Sequence, residues 1–301
     1  MNKATKFALL LAAALVVLGI ALVVWAMSGL GWDFLALSTT KYETKTHILN
    51  QEFDRIAIDT DTTDIQIRLA EDGQGKLVIS QQEKIEHLVS VEDGMLRVAL
   101  EDTRAWYDCI TLFSFGESGI TLYLPEEDYE SLTMVLSSGD VTVSEEIYIG
   151  NVNITTSTGD IRLDKLTADE IKLSVTTGDV TANSVTCLGD VQIAVSTGGT
   201  QLRGVWCENL ISTGSTGDIT LEDGTAKTVS ITRSTGDVRF KNADAGQIMV
   251  ETDTGDVYGS VRTDKIFYVQ TNTGDVNVPQ SVTGGLCEIT TSTGDIHITV
   301  N

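Results

Sequence analysis

A short motif, Ser/Thr-Thr-Gly-Asp with small departures, returns every 19 or 20 residues along the second half of this chain. Its glycines are Gly139, Gly159, Gly178, Gly198, Gly217, Gly236, Gly255, Gly274 and Gly294. A fixed period of this length marks a repeat architecture in which each unit stacks only on its neighbours. Twenty residues cannot enclose a core alone, so the chain must fold as a stack.

The residues flanking each glycine describe one unit. Positions seven and five before it are nearly all apolar, as in Ile171 and Leu173, Val229 and Ile231, or Ile248 and Val250. Positions two and four after it are mostly apolar as well, as in Ile161 and Leu163, Val238 and Phe240, or Ile296 and Ile298. Period-2 patterning on both sides of a turn predicts two short strands per unit, each with one inward face. The inward parity is odd before the glycine and even after it, so the motif marks a corner where the chain gains a residue. Glycine suits a corner that needs positive φ, and the aspartate that follows can close an Asx turn. A further apolar position at plus seven, Leu166, Val185, Val205 and Ala243, predicts a brief third wall.

A β-sandwich also shows short, regularly spaced strands. It has no reason to repeat one corner, whereas stacked coils bring equivalent residues about 4.8 Å apart and favour identical ladders. The sequence is therefore read as all-β, a parallel β-solenoid or β-helix of 19- to 20-residue coils. One earlier coil fits the same register at Ile56, Ile58, Ile65 and Ile67, with Thr63 in the glycine slot. It is followed by an insertion carrying Asp72-Gly73 and Asp93-Gly94, strong hairpin signals between alternating segments. The insertion is read as an N-terminal antiparallel β cap. At the other end, Asp295 to Val300 is expected to leave a bare edge. Its strand is short and flanked by acids, so self-association is not favoured.

Residues 7–27 carry no charge, a length sufficient for about 30 Å of hydrocarbon. Lys3 and Lys6 precede this span and Asp33 is the first charge after it, which places the N-terminus in the cytoplasm and the remainder outside. A cleaved signal peptide would have a shorter apolar core, so an uncleaved single-pass anchor is expected. The organisation is then residues 1–6 cytoplasmic, 7–27 transmembrane, 28–50 juxtamembrane, 51–130 the β cap region and 131–301 the solenoid repeats.

The charge balance, 43 acidic against 20 basic side chains and a formal net of −23, argues against nucleic acid and anionic lipid as partners. No Gly-x-Ser-x-Gly elbow, P-loop or dinucleotide fingerprint is present, and His47, His87 and His297 are too far apart for metal-ligand spacing. Solenoid lyases and hydrolases build their grooves from long loops, which coils of fixed length do not supply. No catalytic residue and no cofactor are expected. The aspartates after the glycines form a column in which Asp218, Asp237, Asp256 and Asp275 are the candidate cation ligands, although turn chemistry accounts for them and the nine-residue calcium repeat has another period. The pairs Thr252/Thr254, Thr271/Thr273 and Thr291/Thr293 are read as a mostly internal threonine ladder. Cys187 and Cys207 both lie nine residues past their glycines, so they stack in adjacent coils within reach of a disulfide or as two small core residues. Cys109 and Cys287 have no expected partner.

The N-terminal helix followed by Gly31-Trp32-Asp33, then Phe53-Asp54-Arg55-Ile56, Val91-Glu92-Asp93-Gly94, Leu122-Tyr123-Leu124-Pro125 and the serial Ser-Thr-Gly-Asp repeats, resembles the bacterial putative-adhesin family of β-strand-repeat envelope proteins. The resemblance spans nearly the whole chain. It implies an extracytoplasmic β-solenoid and supplies no catalytic residues. The chain departs from the repeat at Gly199, where aspartate is lost, and at Asp253 and Asn272, where the leading serine is replaced. The function expected is a membrane-anchored, non-catalytic binding or scaffold protein that meets an envelope protein or a glycan; an envelope-stress sensor arm and, in another class, a carbohydrate-active enzyme are the alternatives.

Overall fold

The computed structural model describes residues 3–29, 31–32, 42–83, 85–102 and 118–301. A 27-residue helix, Lys3–Gly29, opens the chain. Its segment Thr5–Gly29 has a mean hydropathy of 3.1, long and apolar enough to cross a bilayer.

The repeats form a parallel β-solenoid of two facing sheets. Strands that end at the motif, such as Thr167–Thr177 and Thr225–Thr235, build one sheet; strands that begin after it, such as Ile161–Asp164 and Ile219–Glu222, build the other. Register is kept from coil to coil, with Thr158, Thr177, Thr197, Thr216 and Thr235 in one rank and Ile161, Val180, Thr200, Ile219 and Val238 in another. The predicted inward residues are the core, and Leu166, Val185, Val205 and Ala243 line the third wall. All nine motif glycines have φ between +128° and +155°. A Cβ on Gly236 would run into the carbonyl oxygen of Gly217 in the coil beneath, and the same clash recurs at each corner. Two constraints therefore select glycine, backbone conformation and the closeness of the next coil.

At the N-terminal end the strands Arg55–Thr62 and Asp64–Leu69 form a coil with Thr63 in the glycine slot, since a Cβ on Gly139 would strike the Thr63 carbonyl. That coil is not outermost. Met95–Asp102 and Gly119–Leu124, later in sequence, stack in parallel on its far side. The antiparallel cap follows: Ile85–Glu92 pairs with Met95–Asp102, Lys76–Gln82 with Gly119–Leu124, and Tyr42–Ile48 with Lys76–Gln82. The Asp93-Gly94 hairpin turn is as expected, with φ of 50° and 74° at the two residues. Asp72-Gly73 turns the chain without making a two-strand hairpin, because Gly119–Leu124 lies between the strands it joins. The cap also takes in Tyr42–Ile48, inside the span expected as a juxtamembrane segment.

The C-terminal end departs from the sequence reading. The last two coils are stacked out of order: Gly285–Thr293 lies between Val238–Thr254 and Lys265–Thr273, and Ile296–Val300 lies between Val257–Val261 and Val276–Asn277. The strand expected at a bare edge is interior, and the true edge is Lys265–Thr273 with Val276–Asn277. Proline explains much of this. Pro279 falls where a coil continues its second strand, and a residue without an N–H is tolerated at a sheet edge but not within a ladder. A second feature ties the arrangement down. Lys265 is 1% exposed and pairs in register with Gly285, and its amine reaches past the inserted coil to Asp244 Oδ1 at 2.7 Å.

Hydrogen exchange distinguishes the two orders. The amide of Ile296 donates to Asp275 O, while Val276 has no coil beyond it to accept its N–H. The Ile296 amide is expected to exchange at least about a hundredfold more slowly than that of Val276; stacking in sequence order would give the reverse.

Candidate functional site

One edge of the solenoid carries the motif as a continuous strip. The aspartates do not close turns within their own coils, as the Asx reading had it. Each reaches to the neighbouring coil: Asp140 Oδ1 accepts the amide of Asp160 at 2.8 Å, Asp160 that of Asp179 at 2.7 Å, Asp218 that of Asp237 at 2.8 Å, and Asp237 that of Asp256 at 2.8 Å. The chain of bonds follows space rather than sequence at its end, running from Asp256 to Asp295 and from Asp295 to Asp275. It is interrupted at Gly199, which offers no carboxylate to Asp218. Neighbouring charges about 4.8 Å apart repel by roughly 1 kcal/mol in water and several times that at lower effective dielectric; a hydrogen bond to a charged acceptor contributes about 1.5–3 kcal/mol, which offsets the repulsion. One oxygen of Asp218, Asp237 and Asp256 is thereby committed to backbone. Among the described residues no cluster of three or more His, Cys, Asp or Glu has the closeness to hold a metal ion.

The threonine pairs divide between inside and outside. Thr252 and Thr291 are buried, whereas Thr254, Thr273 and Thr293 lie exposed beside the aspartates. The ladder is thus internal at its first position only, because the corner turns two successive residues outward. At the same inward rank Arg233 is 3% exposed, its Nη2 donating to Ser212 Oγ at 2.9 Å and Nη1 to Thr232 O at 3.1 Å. Gly214 beside it has no side chain, which makes room for the guanidinium.

At the foot of the strip, where the cap meets the first coils, lies a pocket of about 450 Å³. Asp61, Thr62 and Asp64 enter it from the corner with Thr63 in the glycine slot, Ser138 from the next corner, and Tyr42, Gln82 and His87 from the cap. Its floor is a line of buried polar groups. Gln81 Oε1 accepts only, so the 2.8 Å contact makes His87 Nδ1 the donor and leaves Nε2 to accept from Thr60 Oγ1 at 3.1 Å. The Thr60 and Thr63 hydroxyls share a further hydrogen bond at 3.2 Å, and Gln81 Nε2 donates to Glu43 Oε1 at 3.2 Å. Each polar group in this line has the next as its partner. Burial holds the His87 pKa below its ordinary value. A hydroxyl, an imidazole and a third group in sequence match the order of a nucleophile, base and orienting group. Here the hydroxyl is 4% exposed and already engaged by Thr63, and a neutral amide cannot stabilise an imidazolium. The line is structural.

The sequence reading named His87 only as a histidine without metal-ligand spacing and Thr63 only as the occupant of a glycine slot, and it joined none of these residues into a site. A signal was present: Gln81 continues the inward alternation of Leu77 and Ile79, and His87 opens that of Val89 and Val91, so each is a polar residue on a core face.

Cys187 and Cys207 directly follow the register pair Thr186 and Trp206 of adjacent coils. Both are free thiols in the structure. Burial raises the pKa of Cys187, and that of Cys207 is pushed up to about 12. Cys287 is buried, and Cys109 lies outside the described residues.

Fold and site together define a capped parallel β-solenoid with one hydrogen-bonding corner and a polar pocket at its foot. The chain belongs to the Toastrack DUF4097 family, whose model matches residues 53–210 and 187–301. No curated protein matches it. Among solved structures it is similar to a putative adhesin from Parabacteroides merdae ATCC 43184, at 12% identity and a TM-score of 0.56 over 86% of this chain and 96% of that one. A putative adhesin from Parabacteroides distasonis ATCC 8503 gives 11% and 0.57 over 87% and 98%. A putative lipid binding protein from the same strain gives 16% and 0.50 over 87% and 98%. At such identities the likeness is one of fold.

Two measurements probe the corner and the pocket floor. Asp237→Asn keeps an acceptor for the Asp256 amide and Asp237→Ala does not, so in chemical denaturation the alanine variant is expected to be less stable than the asparagine variant by about 1–2 kcal/mol; equal stabilities would remove the inter-coil bond. Because the folded state disfavours protonated His87, its contribution is intact above the ordinary histidine pKa and declines as pH falls through about 6.5. The native chain should therefore lose more stability between about pH 7.5 and about pH 5.5 than His87→Gln does, and parallel pH profiles would contradict this.

Proposed function

We propose that this chain is a membrane-tethered, extracytoplasmic binding protein of the cell envelope with no catalytic role of its own. The observation that carries this reading is the character of the outward surface. Among the described residues the coils of fixed length leave no long loops to build a catalytic groove, and the surface offers a hydrogen-bonding strip and a polar pocket at its foot without an accessible nucleophile and base pair. The helix Lys3–Gly29 supports the tether. The excess of acidic side chains suits a body kept soluble and held off an anionic lipid surface. Several solved structures with this fold carry the description putative adhesin, which agrees with recognition rather than turnover. A rigid solenoid presents equivalent groups at a constant spacing, so it meets an extended partner, a glycan chain or another envelope protein, at many points with little ordering cost.

Protease treatment of intact cells is expected to remove the repeats while leaving the N-terminal helix with the membrane, and a proximity label fused to the C-terminus is expected to mark envelope components. Full protection of the repeats on intact cells, with degradation only after lysis, would overturn the extracytoplasmic assignment.

A further inference from the structure

We propose that the pocket between the cap and the first coils binds a single sugar unit, neutral or amino-bearing, of an envelope glycan; this rests on the binding reading above and names its ligand class. The volume, about 450 Å³, lies within the range of small-molecule sites. The decisive feature is the balance of donors and acceptors on its wall. The Asp61 carboxylate makes no hydrogen bond among the described residues. Asp64 spends Oδ1 on the amide of Asp140 and keeps Oδ2, and Ser118 donates to Thr62 O. The Gln82 amide nitrogen faces Tyr42 Oη at 3.4 Å, which leaves its oxygen to accept. The wall is rich in acceptors and, among the described residues, contains no lysine or arginine. A ligand that satisfies it must bring donors, and several of them. An anion is disfavoured, because two carboxylates and a chain of net charge −23 repel it.

Hydroxyl groups at every carbon meet that demand. Ile85 and Leu100 supply apolar wall at the same site, and Tyr42 an aromatic one, which suits the C–H face of a pyranose ring as well as its hydroxyl rim. The buried line below fixes the floor. Gln81, His87, Thr60 and Thr63 satisfy one another, so the side chains on the floor are held in place before a ligand arrives. Preorganisation of this kind lowers the ordering cost of binding. The place in the fold fits a glycan as well, since the pocket opens at the foot of the corner strip, along which the following sugar units would find the hydroxyls and aspartates of successive coils.

The test uses the full chain in lipid nanodiscs and saturation-transfer NMR with glucose, N-acetylglucosamine and glucosamine, each at up to about 10 mM, the concentration appropriate to single-site contacts of this size. Transfer to ring protons is expected for at least one of the three and not for glucose 6-phosphate. Two variants locate it. Asp61→Ala removes an acceptor and should weaken binding about tenfold or more, and Thr62→Trp, at an exposed position on the rim, should abolish transfer by filling the mouth. No transfer from any of the three sugars, transfer to glucose 6-phosphate equal to that of glucose, or transfer undiminished in Thr62→Trp would each overturn the assignment. Failure here would leave the general binding role standing if proximity labelling still marks envelope components; failure of both would remove the two together.

Discussion

The contact on which everything else depends is the stacking of one corner directly on the next. At each step the carbonyl oxygen of a motif glycine comes so close to the glycine of the neighbouring coil that no Cβ fits between them. That approach requires positive φ, requires glycine, and sets the rise from coil to coil at the spacing of paired strands. Once set, it brings every other equivalent position into a ladder. The inward aliphatic residues stack into one continuous core, and the aspartates come near enough to cap one another's amides. Like charges held at this distance would disperse a flexible chain; here the backbone amide between them turns the column into a set of bonds that join coil to coil.

A stack held by strand edges must deal with its two ends, and this chain treats them alike in one respect. At both ends the outermost coil is not the one that sequence order would put there. Near the N-terminus the coil carrying Thr63 is covered by Met95–Asp102 and Gly119–Leu124, which then receive the antiparallel cap. Near the C-terminus the last segment slides under its predecessor, so Ile296 and Ile298 are buried while the segment with Pro279 takes the edge. The physical logic is common to both. A residue run with a complete amide ladder and an aliphatic face gains most inside, whereas a run broken by proline, or one that must pair antiparallel, loses least at the end.

The candidate site grows out of the junction between these two regimes. The regular coils supply Asp64 and Ser138 at corner positions, and the cap supplies Gln81, Gln82 and His87 from antiparallel strands. Where the two meet, inward positions that elsewhere hold aliphatic residues hold polar ones, each satisfied by the next. The result is a rigid polar floor under an open wall of acceptors. Elsewhere in the core the same tolerance for a polar residue appears at Arg233, admitted because Gly214 and Ser212 leave it space and an acceptor. It carries the cost of a buried charge with no carboxylate beside it, and burial accordingly lowers its pKa.

Much of the architecture was legible without coordinates. The period of the glycines gave the coil, the parity change across each motif gave the corner, the aliphatic positions gave the core, and Asp93-Gly94 gave the hairpin of the cap. All of these are local or strictly periodic, so a residue and its neighbours in sequence carry the whole signal. The direction of the aspartate bonds, the exposure of Thr254 and Thr293, the inverted order of the last coils and the pocket were not legible, and for one reason. Each depends on which coil lies next in space. A repeat makes its units nearly equivalent, and equivalence that announces the stack so plainly leaves the stacking order open. That order is decided by the few residues that break the repeat, Pro279 at the edge, Gly285 beneath Lys265 and the polar residues of the cap, and their preferences show only when the coils around them are in place.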